Sequence, residues 1–344
     1  MKIEITDKWN DYLKYFDKSK SDTYFTEEYV KLYHSDIDEA ICYVCNEGEN
    51  YLVFPFLKRQ FHFEGIVYYD FETPYGYGGP IANTDDGLFI EKSLELFYNY
   101  CRDNKYVAGF VRFHPLLNNS VGYTIGRVLL DRETVAIDLK PSEEEIWMQE
   151  LKSKNRSSIK KAINNGLQFI EDTDFKYLDD FVSLYNKTMN KVSADEFFIF
   201  DKTYYDNFIQ KIDKRFLGVV IYNEKVISAA MFFYSEDYGH YHLSGSDVEY
   251  LYLNPNNFLL WEAAKALKKH NVKMFHLGGG SSSDPNNSLL EFKSRFSPGR
   301  LQFNIGKTIF DSEIYNQVCS QWEADNDNTE KKIQLKNHLL KYKY

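Results

Sequence analysis

The strongest chemical signal lies in GGGSSSDPNNSLLEFKSRF, where Gly278, Gly279 and Gly280 leave an extended run and the chain enters a helix after Pro285. Consecutive glycines ahead of a helix expose main-chain N–H groups, which suit a phosphate or an oxyanion forming on a carbonyl. Lys293 and Arg295 stand in the same element, so a cation and amides together could stabilise a carbonyl as it turns tetrahedral. Ser281 and Phe292 border the same surface. For a glycine triplet alone, a tight, closely packed turn is the plainer explanation. The spacing matches neither a Walker loop nor Gly-x-Gly-x-x-Gly.

Two further constellations could do chemistry. In LKSKNRSSIKKA, Arg156 and Lys160 stand four apart on one helical face and could clamp a diphosphate, although a solvated charged face explains the run equally well. In HYHLSGSD, His240 and His242 alternate along a strand and point to one side. No third ligand stands at zinc spacing, so no metal is expected. His242 as a relay, or Asp247 just past the strand end, is the candidate acceptor for an amine proton. Cys42 and Cys45 fall in one predicted strand and face opposite ways, which disfavours a zinc clasp or redox pair. No Ser-His-Asp, Cys-His or His-Glu-x-x-His signature is present, so direct attack on a carbonyl is the simpler mechanism.

The elements that must position these groups follow from periodicity and turn chemistry. Short helices are expected at about 7–17 and 26–34, a hairpin of strands 40–46 and 50–58 around Glu47-Gly48-Glu49-Asn50, and a third extended run from Phe61 to Tyr69. Apolar residues at Leu88, Leu94, Phe97 and Cys101 mark a helix over 87–103, and Tyr106 to His114 reads as a buried strand. Ser142 and Glu145 form a capping-box pair opening a helix that runs into the basic stretch and ends at Asn165-Gly166. A strand at 167–171, helices at 174–190 and 203–213, and strands at 216–222, 225–235 and 239–244 follow. Helix 257–270, strand 273–277, helix 288–296 and strand 301–306 then repeat the order of the first half. The expected organisation is a domain over 1–135, a second over 136–324, and an amphipathic surface helix over 325–344.

Composition bounds the function. A net charge of −10 argues against broad binding to nucleic acid or anionic membrane. Four cysteines form no disulfide framework in a chain this long, and no secretory signal or apolar membrane-spanning run is seen. A soluble cytoplasmic protein of bacterial type, or one peripheral to the inner membrane face, is expected. The 28 Tyr and 27 Phe suit ring-lined clefts, but a ring-rich core accounts for them as well.

The segments TPYGYGGP, KNRSSIKKA, YHLSGSD followed by NPNNFLLWEAAKALKKH, and FHLGGG followed by LLEFKSRF resemble those of the Fem-type branch of the GNAT acyltransferase superfamily. That branch includes peptidyltransferases of peptidoglycan precursors and acyltransferases associated with surface polysaccharide. The resemblance covers about 70–310 and implies an α/β (α+β) fold of two tandem GNAT-like domains, each a mixed, largely antiparallel sheet flanked by helices. It implies that Lys293 counters charge on the attacked carbonyl and that Arg156 holds substrate phosphate. It further implies that the Tyr75–Pro80 loop, with Tyr75, Tyr77 and Gly79, lines an acceptor site; Lys160, Tyr241 and Asn256 complete the expected substrate surface. Asn83 stands where many members carry an acid behind the Gly-Pro pair, and the Arg/Gln-x-x-Gly-x-Gly/Ala loop of acetyl-CoA enzymes is not evident.

The expected activity is transfer of an activated acyl group to an amine, with no bound cofactor. The co-substrate is acyl-CoA, acyl carrier protein or aminoacyl-tRNA, the last disfavoured by net charge. The expected acceptor is an amino sugar or a small or lipid-linked cell-envelope precursor. The rivals are a tRNA-dependent peptidyltransferase and a non-catalytic module that holds a nucleotide-sugar or peptide.

Overall fold

The computed structural model describes residues 1–191, 199–284 and 286–344; Pro285, expected to open the Lys293 helix, lies outside them. The chain divides into two units, residues 1–131 with 303–344, and residues 132–302. Strands β1 (Lys2–Thr6), β2 (Asp38–Glu47), β3 (Asn50–Phe63), β4 (Ile66–Glu72), β5 (Ile81–Ala82) and β6 (Tyr106–Arg112) build the first unit. Strand β7 (Arg127–Asp138) carries the chain into the second, which holds β8 (Gln168–Asp172), β9 (Arg215–Tyr222), β10 (Lys225–Tyr234), β11 (Tyr238–Ser246) and β12 (Met274–Gly279). Strand β13 (Arg300–Ile309) carries it back.

Each unit is a mixed, mostly antiparallel sheet with helices. In the first the order is β1-β2-β3-β4-β6-β13 with β5 on β3, and only β4 and β6 are parallel. In the second it is β7-β12-β11-β10-β9-β8, and only β11 and β12 are parallel. A crossover between parallel neighbours needs a helix. Gly87–Asp103 serves this purpose in the first unit and Pro255–Lys269 in the second.

Several expectations are corrected. The run Phe61 to Tyr69 is not one strand: Glu64 and Gly65 take φ of 49° and 76°, the left-handed pair that closes a tight hairpin between β3 and β4. The capping box at Ser142 and Glu145 forms, but Lys152 has ψ of 148°, so the chain leaves helical geometry and restarts as Ser153–Asn164. Strand β7 and helix Ser312–Asp325 were not read from the sequence. Residues 303–324, expected in the second domain, group with the first unit because β13 pairs with β6 from Ile305↔Arg112 to Ile309↔Ala108. The tail is no single surface helix: Thr329–Leu335 is helical, Leu339 and Leu340 are buried, and Lys343 ion-pairs with Asp38 and Glu72 at 3.3 and 2.5 Å.

The aromatic excess goes largely into cores. Phe54, Phe56, Phe71 and Phe97 are fully buried together in the first unit, with ring centroids 4.7–5.8 Å apart. In the second, Phe216, Phe232 and Phe275 meet Leu259, Ala263 and Leu267 of the crossover helix. These contacts fix the rigid frame on which the Lys293 segment sits.

Candidate functional site

The parallel pair of the second unit separates early. β11 and β12 pair only from Tyr238↔Met274 to His240↔His276, although they continue to Ser246 and Gly279. The corresponding pair of the first unit stays paired to the end of β4, from Tyr69↔Tyr106 to Glu72↔Phe110, with one register shift between Tyr69 and Phe71. A wedge therefore opens in the second sheet, and β12 ends there in the glycine triplet. A bulge between His276 and Gly278 opposite β7, with Gly278 at φ 75°, turns the strand end. Gly279 has to be glycine on grounds of space, since a Cβ there would lie 2.7 Å from the Glu133 carbonyl oxygen.

Asn287 then caps the Ser288–Lys293 helix, its Oδ1 accepting from the Leu289 and Leu290 amides. This cap places Lys293, 7% exposed, so that Nζ donates to the Gly279 carbonyl at 2.8 Å and lies 5.6 Å from the centre of the Tyr241 ring. Arg132, on β7, donates to the next carbonyl, Gly280, at 2.9 Å. Burial, with Arg132 beside it, pushes Lys293 down to about 7. Lys293 is thus a lysine that exchanges its proton near neutrality.

The glycine turn works in the opposite sense to the expected cradle of amides. Its carbonyls at 279 and 280 face two cations, and a trans peptide points its N–H away from its carbonyl. The Ser281 amide is taken by Asn287 Oδ1 at 3.3 Å. Cations, not main-chain donors, are therefore what this turn gathers. Arg132 was missed because its strand was not read; only the pairing of Gly279 with Thr134 brings it to the turn.

Tyr241, Lys293, Gly278, Gly279 and Gly280 come together, with Arg132 added. The other expected residues are placed elsewhere or engaged in the fold. Tyr241 packs on Phe232 on the crossover-helix face. His242, at a bulge between the Phe232↔Tyr241 and Met231↔Leu243 pairs, instead faces Phe208, Phe233 and Tyr204, whose hydroxyl is 2.6 Å from Nε2. It lies across the sheet from Lys293, and burial together with His240 pushes it down to about 3. Asp247 ion-pairs with Lys225 at 2.8 Å and caps the turn Val248–Leu253. Asn256 Oδ1 accepts from Ser228 and Ser246 and ties the crossover helix to β10 and β11.

Arg156 donates to the carbonyls of Trp147, Met148 and Leu151, ending the preceding helical turn rather than pointing at open space. Lys160 is exposed on its helix. Phe292 packs on Phe296, and Arg295 pairs with Glu291 at 2.7 Å. Tyr75, Tyr77 and Gly79 belong to the first unit. The Tyr75 carbonyl accepts from Tyr29, Tyr77 packs among Tyr24, His114 and Phe303, and Gly79 is buried at φ 94°. Asn83 ties β5 to the β2–β3 turn, accepting from the Tyr51 amide and donating to the Glu49 carbonyl.

Residues 152–303 match the family model described as Acetyltransferase (GNAT) domain. No curated protein sequence matches the chain. Among solved structures, FemX is similar over 92% of this chain and 99% of its own, with a TM-score of 0.69 at 12% identity. The C-terminal DUF2156 domain of a putative lysylphosphatidylglycerol synthetase from Agrobacterium fabrum is similar over 91% of this chain and 93% of its own (TM-score 0.57, 13% identity). L-PGS from Bacillus licheniformis is similar over 78% and 84% (TM-score 0.51, 13% identity). At such identities the likeness is one of fold. Family model and fold agree with the Fem-like GNAT resemblance: residues 152–303 form a GNAT acyltransferase domain, which supports transfer of acyl or aminoacyl groups. No helix among the described residues is long and apolar enough to cross a membrane.

Proposed function

We propose that the second unit transfers an acyl group from a thioester, acyl-CoA or an acyl carrier, to the amine of an amino sugar or cell-envelope precursor by direct attack beside Lys293. One observation carries this: a buried lysine pushed down to about 7 stands at the mouth of a wedge between two parallel strands. The first unit has no comparable parting of β4 and β6.

The amine nitrogen attacks the thioester carbon, and the N–C bond forms as the carbonyl becomes an oxyanion. Neutral Lys293 takes the proton released by nitrogen. The resulting ammonium lies next to the new negative charge, which raises lysine basicity at the moment it is needed. Collapse breaks the C–S bond, and the thiolate leaves with the proton Lys293 gained. Burial, with Arg132 beside it, favours the neutral form of Lys293, and Arg132 adds a fixed charge at the turn. His242 and Asp247 take no part, because one lies across the sheet and the other is held by Lys225.

A thioester-release assay with mixed acyl-CoAs and amino sugars tests the reading. Turnover should rise with pH through about 7, as Lys293 loses its proton, and fall at least a hundredfold in Lys293→Ala. Wild-type-like turnover in that variant would remove Lys293 from the mechanism. Aminoacyl-tRNA is the second donor class, favoured by the exposed Lys152, Lys154, Lys160 and Lys161. It requires steeply salt-dependent RNA binding that is lost on neutralising Lys160 and Lys161.

A further inference from the structure

The first unit contains a cavity of about 400 Å³, within the range of small-molecule sites. Its walls combine aliphatic side chains with polar ones. Leu52 and Ala82, paired across β3 and β5, form one side; Ile90 and Leu94 project one helical turn apart from Gly87–Asp103; Leu117 closes the far side. Val121 at the edge is 72% exposed, leaving a large apolar side chain in water at this edge.

Several polar groups of these walls are already engaged within the fold, whereas Asn118 is exposed. Asn119 donates to the Gly78 and Pro80 carbonyls at 2.8 and 3.0 Å and accepts from the His114 amide at 2.7 Å. The Tyr123 hydroxyl meets Thr308 at 2.8 Å, and Thr84 Oγ1 accepts from the Asp86 amide. A ligand entering this space therefore finds apolar surface inside and no vacant donor from these groups to read a polar body. Charge occurs only as the pair Lys20–Asp85, 2.8 Å apart. Asp85 is 93% exposed and Lys20 29%, so the cation is the partner nearer the wall, and an ammonium has donors beyond the one Asp85 uses.

We infer that this cavity binds the aliphatic chain of an amphiphile, with an acidic head, carboxylate or phosphate, resting on Lys20. The inference rests on the cavity walls alone and is independent of the transfer reaction at Lys293.

Equilibrium binding of octanoate, decanoate and dodecanoate below their micelle concentrations tests it on the full chain without turnover. Affinity should rise roughly three- to fourfold per added methylene until the space is filled. Ala82→Phe, which fills the floor, should weaken dodecanoate at least tenfold. Val121→Asp, an exposed position that leaves the core untouched, should weaken it about threefold or more and keeps the test valid if Ala82→Phe does not fold. Lys20→Gln should abolish the preference for decanoate over decanol. Sedimentation with phosphatidylglycerol vesicles, lost in Val121→Asp, would assign the chain to a membrane lipid; binding of monomeric alkanoates alone would assign a soluble acyl ligand. Affinity that does not change with chain length, or that survives both cavity variants, would overturn the inference.

Discussion

Replacing Lys293 by methionine should make the protein more stable while it abolishes turnover. In the folded state burial lowers Lys293 from 10.5 to about 7, whereas in the unfolded chain it keeps the ordinary value. Between those two values the unfolded state binds a proton that the folded state does not, so stability rises with pH across the window and is lowest on its acid side. At about 1.4 kcal/mol for each tenfold change, housing the lysine costs the fold roughly 4–5 kcal/mol at pH 7. Methionine has a similar length and no charge to desolvate. It forfeits the 2.8 Å hydrogen bond to the Gly279 carbonyl, worth about 1 kcal/mol. The expected net gain is about 2–4 kcal/mol at pH 7, shrinking to nothing near pH 10.5. Urea unfolding of both proteins across this pH range measures the difference. A methionine variant less stable than wild type at pH 7, or a difference that does not change with pH, would refute the reasoning.

Two further outcomes follow from the same geometry. Arg132→Gln removes the charge that helps hold Lys293 low, so the ascending limb of kcat/KM should move to higher pH, while Arg132→Lys moves it less; a limb that stays fixed in both would count against Arg132 as a positioning group. His242→Phe should cost about 1–3 kcal/mol of stability, because the hydrogen bond between the Tyr204 hydroxyl and the imidazole is lost, yet keep turnover within about threefold. A loss beyond a hundredfold would restore His242 as the proton acceptor.

Much of the fold was legible because local rules and tertiary structure agree. The apolar period of 87–103 gave the helix bounds, and Ser142 with Glu145 gave a real capping box. Strand β7 was not legible, since its start, from Arg127 to Glu133, carries charges that weaken the alternating pattern. Lys293 beside the glycines could be read from nearness in sequence, and the two do touch. Arg132 could not, because 148 residues separate it from Gly280. The surroundings of His242 are not legible, because a bulge and the two faces of β11 are invisible to a motif that reads only spacing. The fold contacts of Arg156 and Asn256 are not legible either, because a side chain that bonds within the fold looks the same in sequence as one that waits for a substrate.

Strand β13 also bears on how the chain is made. Because Ile305 to Ile309 close the edge of β6, the first unit is built from two stretches of sequence, one on either side of the uninterrupted stretch that forms the second. A ribosome delivers residues 132–302 in full before it delivers the strand that completes what began at residue 1. During synthesis the earlier-made portion must wait with the β6 edge bare until β13 emerges.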